Sequence, residues 1–249
     1  MTGWLAIAGL GPGDPDLVTP EVTAALAQAT DVIGYVPYVA RVAARDGLTL
    51  HPSDNRVELD RAAHALRLAD EGRRVVVVSS GDPGVFAMAA AVFEALEAGP
   101  AGWRALDIRV LPGITAMLAA SARAGAPLGH DFCAINLSDN LKPWGTIERR
   151  IRLAAEADFA IAFYNPRSKA RPDTLDDAFA VLRATCRDAR PVLFARGVST
   201  PDEMLAIVPL PDARGAMADM RTMVIVGSSQ TRIIARPVGP ILYTPRSAS

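Results

Sequence analysis

The sequence predicts an α/β protein made of two α/β domains, on three observations. Val75-Val76-Val77-Val78 is a short β-branched run bounded by turn residues, the pattern of a strand buried on both faces of a parallel sheet. Gly81-Asp82-Pro83-Gly84 follows at once. Strand, glycine turn and helix is where open α/β sheets place ligands, at the carboxyl ends of the strands. Apolar strands and helical stretches then alternate as far as the Gly-Ala-Pro-Leu-Gly segment at 125–129, where the texture changes and a second alternation begins.

The first strand spans 4–9. Leu10-Gly11-Pro12-Gly13-Asp14-Pro15-Asp16 makes a tight loop, and Thr19 caps a helix that starts on Pro20 and runs to about 29. The glycine spacing is not the Gly-x-Gly-x-x-Gly of dinucleotide folds, and no lysine follows, so this is no P-loop. Next come a strand at 31–35, a helix and connector at 36–47, loop and strand at 48–55, and a helix at 59–71 ending on Gly72. After the valine strand, Asp82 is placed to cap a helix at 85–97, with Pro83 suited to its first position. A strand at 103–111 leads into Pro112-Gly113-Ile114-Thr115 and a small-residue helix at 116–125.

The second half opens with a strand at 132–137 and a polar loop at 138–144 carrying Lys142 and Trp144. Thr146 caps a helix to about 156, with Glu148 in its first turn. A strand at 159–164 runs into the most basic loop of the chain, 165–171. An amphipathic helix at 174–186, a strand at 191–195, a hairpin strand at 204–208 and a last core strand at 222–226, ending in Gly227-Ser228-Ser229, complete the pattern. The tail from 237 reads as irregular. The expected domains are 1–117 and 118–249.

Composition excludes several classes. With a net charge of -1, no global field draws the chain to nucleic acid or an anionic membrane. Cys133 and Cys186 form no CxxC and give no disulfide, zinc or iron–sulfur pattern, and they read as small buried hydrophobes. His51, His64 and His130 share no metal-ligand spacing, and His64 reads as structural. No apolar run reaches the roughly 18 residues of a membrane span, and the first residues lack a signal-peptide layout. The expected location is cytoplasmic. Lys142 and Lys169 are the only lysines among 26 basic residues. Arginine suits carboxylates because it binds them bidentately, although coding bias accounts for the excess equally well.

Five strand-end loops carry residues able to bind ligands: 10–14, 80–82, 113–115, 165–171 and 227–229. Spread over two α/β units, they imply a cleft between domains. Asp14, Asp16 and Asp82 would repel phosphate and suit a ligand with hydroxyls, an amino group or positive charge; the alternative is that they cap turns and helices. Arg167, Lys169 and Arg171, beside Asn165, suit an anionic substrate, or form a solvated surface loop. Lys142 and Trp144 offer charge and a flat face to a macrocyclic ligand, with Trp144 equally readable as a core plug. No nucleophile emerges: Ser79, Ser80 and Ser138 have no histidine partner, and nothing activates Ser168. A non-catalytic nucleotide-binding domain remains an alternative.

With these loops in place, the chain resembles the tetrapyrrole methyltransferase family. The resemblance runs from about Leu5 to Gly227. It rests on Gly9-Leu10-Gly11-Pro12-Gly13-Asp14-Pro15, Ser80-Gly81-Asp82-Pro83, Pro112-Gly113-Ile114-Thr115-Ala116 and Thr222-Met223-Val224-Ile225-Val226-Gly227. Asp31-Val32-Ile33-Gly34-Tyr35 with Tyr38, Leu137-Ser138-Asp139 with Pro143-Trp144, and Phe163-Tyr164-Asn165-Pro166-Arg167-Ser168 resemble its ring-contracting branch. The resemblance implies two α/β domains with the active-site cleft between them, a homodimer, and S-adenosylmethionine as methyl donor, leaving as S-adenosylhomocysteine. It implies methylation of precorrin-3B at C17 with ring contraction to precorrin-4, in aerobic cobalamin biosynthesis; another precorrin carbon is the alternative. By motif, the cofactor contacts are Leu10, Asp82, Val85, Thr115, Ala116, Tyr164 and Thr222. The substrate contacts are Asp14, Ser138, Asn165, Arg167, Ser168, Lys169 and Arg171. Contraction calls for a proton donor or acceptor, for which Asp14, Ser138, Asn165 and Ser168 are candidates. Some relatives carry a cysteine-rich iron–sulfur extension; this chain has none, which implies the cobalt-independent branch.

Overall fold

The structure, a computed structural model, describes residues 3–54 and 57–247. It divides into two compact units, Met1–Thr115 and Ala116–Ser249. Asn55, the end of the expected 48–55 stretch, lies outside the described residues.

The first unit contains β1 (Trp4–Gly9), α1 (Pro20–Gln28), β2 (Asp31–Tyr35), the single turn α2 (Val36–Val39), β3 (Thr49–Ser53), α3 (Glu58–Asp70), β4 (Arg74–Ser79), α4 (Met88–Ala98) and β5 (Asp107–Leu111). The sheet order is β3-β2-β4-β1-β5, and every pair is parallel. Alternate β4 valines serve opposite faces. Val75 and Val77 join Leu5, Ile7 and Ile33 under α3 and α4, while Val76 and Val78 join Ala6, Ala8 and Val32 under α1. Burying a valine side chain gives roughly 1.5–3 kcal/mol, enough to offset about 1–2 kcal/mol of backbone ordering per residue. The run is therefore stable only when both faces are covered. The chain leaves β1 toward β2 and leaves β4 toward β5, in opposite directions from neighbouring strands. That reversal is the switch point of a doubly wound sheet.

At the amino ends of these strands Asp31 is fully buried. Burial alone would raise its pKa. Hydrogen bonds from Arg73 (2.8 and 3.1 Å), His51 (2.9 Å) and Thr30 (2.7 Å) outweigh burial and hold it at about 2. His64 reaches the other ring nitrogen of His51 at 3.3 Å, and burial together with His51 lowers the His64 pKa. His64 is thus part of a structural pair.

The second unit holds α5 (Ala116–Ala124), β6 (Gly125–Ala126), β7 (Phe132–Asn136), α6 (Trp144–Glu156), β8 (Ala160–Tyr164), α7 (Thr174–Thr185), β9 (Pro191–Arg196), β10 (Met204–Pro209), β11 (Thr222–Val226), β12 (Arg232–Ile234) and β13 (Ile241–Tyr243). Its main sheet is ordered β10-β9-β11-β8-β7, with β11 antiparallel to β8 and β9. Ile147 and Ile151 of α6 and Leu175, Phe179 and Leu182 of α7 pack on Ile135, Ile161, Phe163, Phe194 and Val224.

Several expectations are corrected. The helix expected at 85–97 begins at Met88, because Asp82 folds back on its own turn and Phe86 takes a left-handed φ of 52°. Residues 101–105 form a 3-10 turn that buries Trp103, and the strand starts at Asp107. The helix expected to be capped by Thr146 starts at Trp144 after Pro143, with no side-chain cap, and Glu148 lies past its first turn and pairs with Arg152. The tail is not irregular throughout: β13 pairs with β12 and β6. Trp144 packs against the core. The two thiols are free and half-buried, and burial pushes Cys133 up to about 11. Among the described residues no helix is long and apolar enough to cross a membrane, and no metal-binding cluster occurs.

Candidate functional site

In the first unit, the loops after β1, β4 and β5 meet at the carboxyl ends of the strands. Gly11 and Gly81 pair through both backbone N–H groups (3.2 and 2.9 Å), each at a positive φ (66° and 64°). A Cβ on Gly113 would stand 2.2 Å from the Gly81 carbonyl oxygen and 2.8 Å from that of Gly9. Only a bare backbone allows the loops to approach this closely.

Asp82 accepts from the Gly84 N–H (2.8 Å) and, through its other oxygen, from the Gly113 N–H (3.0 Å). It fastens the β4 loop to the β5 loop, and a carboxylate still has lone pairs to offer after two such bonds. Asp14 accepts from the Asp16 N–H (2.9 Å) and caps the 3-10 turn Pro15–Leu17. Leu10 is buried, its N–H bonded to the Ser79 carbonyl (2.8 Å). Val85 is half-buried in the turn before α4, and Thr115 is buried.

Arg41, which the sequence reading missed, donates to the carbonyls of Leu10, Gly11 (3.2 Å) and Gly13 (3.3 Å). One guanidinium thus fixes the whole glycine loop from outside. No local sequence signal announces it, since its partners lie about thirty residues upstream.

In the second unit, β7, β8 and β9 end at the edge where β11 begins. This edge collects Ser138, Tyr164, the loop 165–171 and Thr222. Asn136 is its organiser, also missed from sequence. Its Oδ1 accepts from the Ser138 N–H (2.9 Å) and from the Asn165 side-chain amide (3.1 Å). Asn165 has a φ of 51°, a conformation asparagine tolerates better than most residues. Ser168 and Arg171 pair through both backbone N–H groups, closing the loop. Arg171 is largely buried, donating to the Leu137 carbonyl (3.4 Å) and lying 3.7 Å from Asp139. Arg167 donates to the Pro172 carbonyl (3.0 Å), and Lys169 is exposed.

Ala116 opens α5, and the hydroxyl of Tyr164 accepts from the next backbone N–H, Met117 (3.3 Å). The Thr222 hydroxyl donates to Asp219 (2.9 Å) and accepts from its backbone N–H (3.0 Å), so it is committed to the turn before β11. The loop 227–229 does not join this edge. Because β11 runs antiparallel, it emerges at the opposite end, where Ser229 bonds Asp158 (2.8 and 2.6 Å).

Comparison with known proteins gives four findings. The family Tetrapyrrole (Corrin/Porphyrin) Methylases matches residues 5–214. The chain is 55% identical to the precorrin-3B C(17)-methyltransferase of Sinorhizobium sp, covering 99% of this chain and 97% of that one. Its fold matches the crystal structure of the methyltransferase CobJ with a TM-score of 0.93 and 66% identity, over 98% and 100% of the two chains. It also matches the uroporphyrin-III C-methyl transferase of Thermus thermophilus, complexed with S-adenyl homocysteine, with a TM-score of 0.66 at 22% identity, over 90% and 97%.

Proposed function

The chain belongs to the tetrapyrrole methylases, and on that premise we propose that it methylates precorrin-3B at C17, using S-adenosylmethionine, with contraction of the ring to precorrin-4. The observation that carries this reading is the near full-length match to the Sinorhizobium enzyme. A homodimer working in the cytoplasm goes with it. Light scattering of the purified chain and fractionation of expressing cells check those two points.

The donor set of the first unit fits the methyl donor. Its loops present glycine backbone, the Asp14 and Asp82 carboxylates and the Thr115 hydroxyl, while Arg41 is taken up by loop carbonyls. That chemistry accepts amino, hydroxyl and cationic groups and offers no cradle for phosphate. When bound, S-adenosylmethionine supplies an electrophilic methyl on a sulfonium. Leu10, Asp82, Val85, Thr115, Ala116, Tyr164 and Thr222 are the proposed contacts. Asp82 acts doubly, holding the loops after β4 and β5 at fixed spacing while keeping lone pairs for the ligand. In the second unit, Ser138, Asn165, Arg167, Ser168, Lys169 and Arg171, with Asp14 of the first, are proposed to bind the substrate. Arginine and lysine here meet macrocycle carboxylates through charge-assisted hydrogen bonds. What the chain contributes to rate is chiefly alignment of two bound reactants.

The test is one incubation of purified protein, S-adenosylmethionine and freshly made precorrin-3B, followed by absorbance and mass spectrometry. The expected outcome is gain of one methyl with the spectral change of a contracted ring. Methyl gain on another precorrin but not on this one would transfer the proposal to a different carbon. Tight S-adenosylhomocysteine binding with no methyl gain on any tetrapyrrole would overturn it.

A further inference from the structure

We propose that Lys142 and Arg171 form a carboxylate-binding subsite at the end of β7, taking one acid side chain of the tetrapyrrole; this rests on the methyltransferase reading above. The geometry is specific. The Lys142 ammonium donates to the Ser138 carbonyl (3.3 Å), and Arg171 donates to the preceding carbonyl, Leu137 (3.4 Å). Two cations from different segments are thereby held side by side on consecutive carbonyls. Folding normally separates like charges unless something anionic sits between them.

The local counter-charge is insufficient. Asp139 faces Arg171 at 3.7 Å, and among the described residues it is the carboxylate that acts against the charge crowding on Lys142. From α6, Arg150 lies close enough to oppose the charge on Lys142. Burial, then Arg150 and Arg171, lower the Lys142 pKa, with Asp139 opposing. Among the described residues that act on Lys142, two cations oppose one carboxylate, an excess that an incoming carboxylate would neutralise. After its bond to Ser138, the ammonium has two further donors, and it is half-buried, where a charge-assisted bond is worth more than in open water. Lysine, a compact point charge, suits one carboxylate oxygen, and the Arg171 fork suits the other.

The experiment titrates uroporphyrin, a stable polycarboxylate tetrapyrrole, by fluorescence against wild type, Lys142→Met and Lys142→Arg, with its neutral methyl ester as control. Calorimetry with S-adenosylhomocysteine accompanies each protein and reports that it is folded. We expect Lys142→Met to bind uroporphyrin about tenfold more weakly and Lys142→Arg to recover most of that, as loss and return of one charge-assisted bond require. S-adenosylhomocysteine affinity should stay level throughout. Uroporphyrin affinity of Lys142→Met equal to wild type would overturn the subsite while leaving the enzyme reading intact. So would wild type that converts precorrin-3B but binds the methyl ester as tightly as the acid. Wild type that neither binds nor converts any tetrapyrrole would end both proposals.

Discussion

The two units solve one problem, closing the carboxyl end of a sheet, with opposite materials. The first uses bare backbone: Gly9, Gly81 and Gly113 in mutual contact, with Arg41 consumed by carbonyls. The second uses side chains: Asn136 ties two loops, and Lys142 and Arg171 stand on consecutive carbonyls with Asp139 set against them among the described residues. The lesson concerns charge. A cation spent on its own loop is scaffold, and a cation left in excess is available to a ligand.

The largest effect should come from the backbone closure. Gly113→Ala puts a methyl 2.2 Å from the Gly81 carbonyl, and neither partner is a flexible side chain. Overpacking of that kind costs about 3 kcal/mol. We expect a matching drop in urea stability and loss of S-adenosylhomocysteine binding by calorimetry. Gly145→Ala, in α6 with nothing within 4 Å, is the control and should gain up to about 1 kcal/mol. If both variants melted and bound alike, close approach would not be what shapes the first unit.

These two styles also differ in legibility. Glycine constraints are local, so β1, β4, their loops and the Thr19 cap, confirmed by the Val22 N–H bond at 3.3 Å, could be read from neighbouring residues. Asp82 was legible as important but not as a staple, because its second partner, Gly113, is 31 residues away. Asn136 and Arg41 were invisible for the same reason, with partners 29 and 31 residues distant. The misplaced start of α4 is the corollary: a capping motif is present, but the Asp82 carboxylate is divided between its own turn and Gly113, and the helix starts at Met88.

The comparison also says where acid should act. The glycine closure is made by backbone groups, whereas the opposite end of the same sheet rests on Asp31. With a folded pKa of about 2 against an ordinary 3.8, Asp31 contributes about 2 kcal/mol, present above about pH 4 and lost as pH falls toward 2. His64, lowered in the fold, adds loss of stability as pH falls through the ordinary histidine range. Asp31→Asn should therefore cost about 2 kcal/mol in urea midpoints at pH 7, with the gap to wild type closing below about pH 3. A gap that stayed constant with pH would mean the carboxylate charge is not what holds β2, β3 and β4 there.

The smallest effects would separate the two ends by ligand. The Arg41 guanidinium donates to three carbonyls of the glycine loop, so Arg41→Met should loosen that loop and weaken S-adenosylhomocysteine about tenfold, the equivalent of one or two net hydrogen bonds. The KM for the tetrapyrrole should stay unchanged. Arg167 has one backbone tie, to Pro172, and is partly exposed, so Arg167→Ala should raise the tetrapyrrole KM only a few-fold, as expected for a solvent-screened contact. Its affinity for S-adenosylhomocysteine should match wild type. The pair matters more than either variant, because both remove an arginine that donates to loop carbonyls, Arg41 to the glycine loop of the first unit and Arg167 to its own loop in the second. Crossed results, one ligand affected by each, would support the division between a spent cation and an available one. If both variants weakened both ligands equally, each arginine would be acting on general stability, and the division would fail.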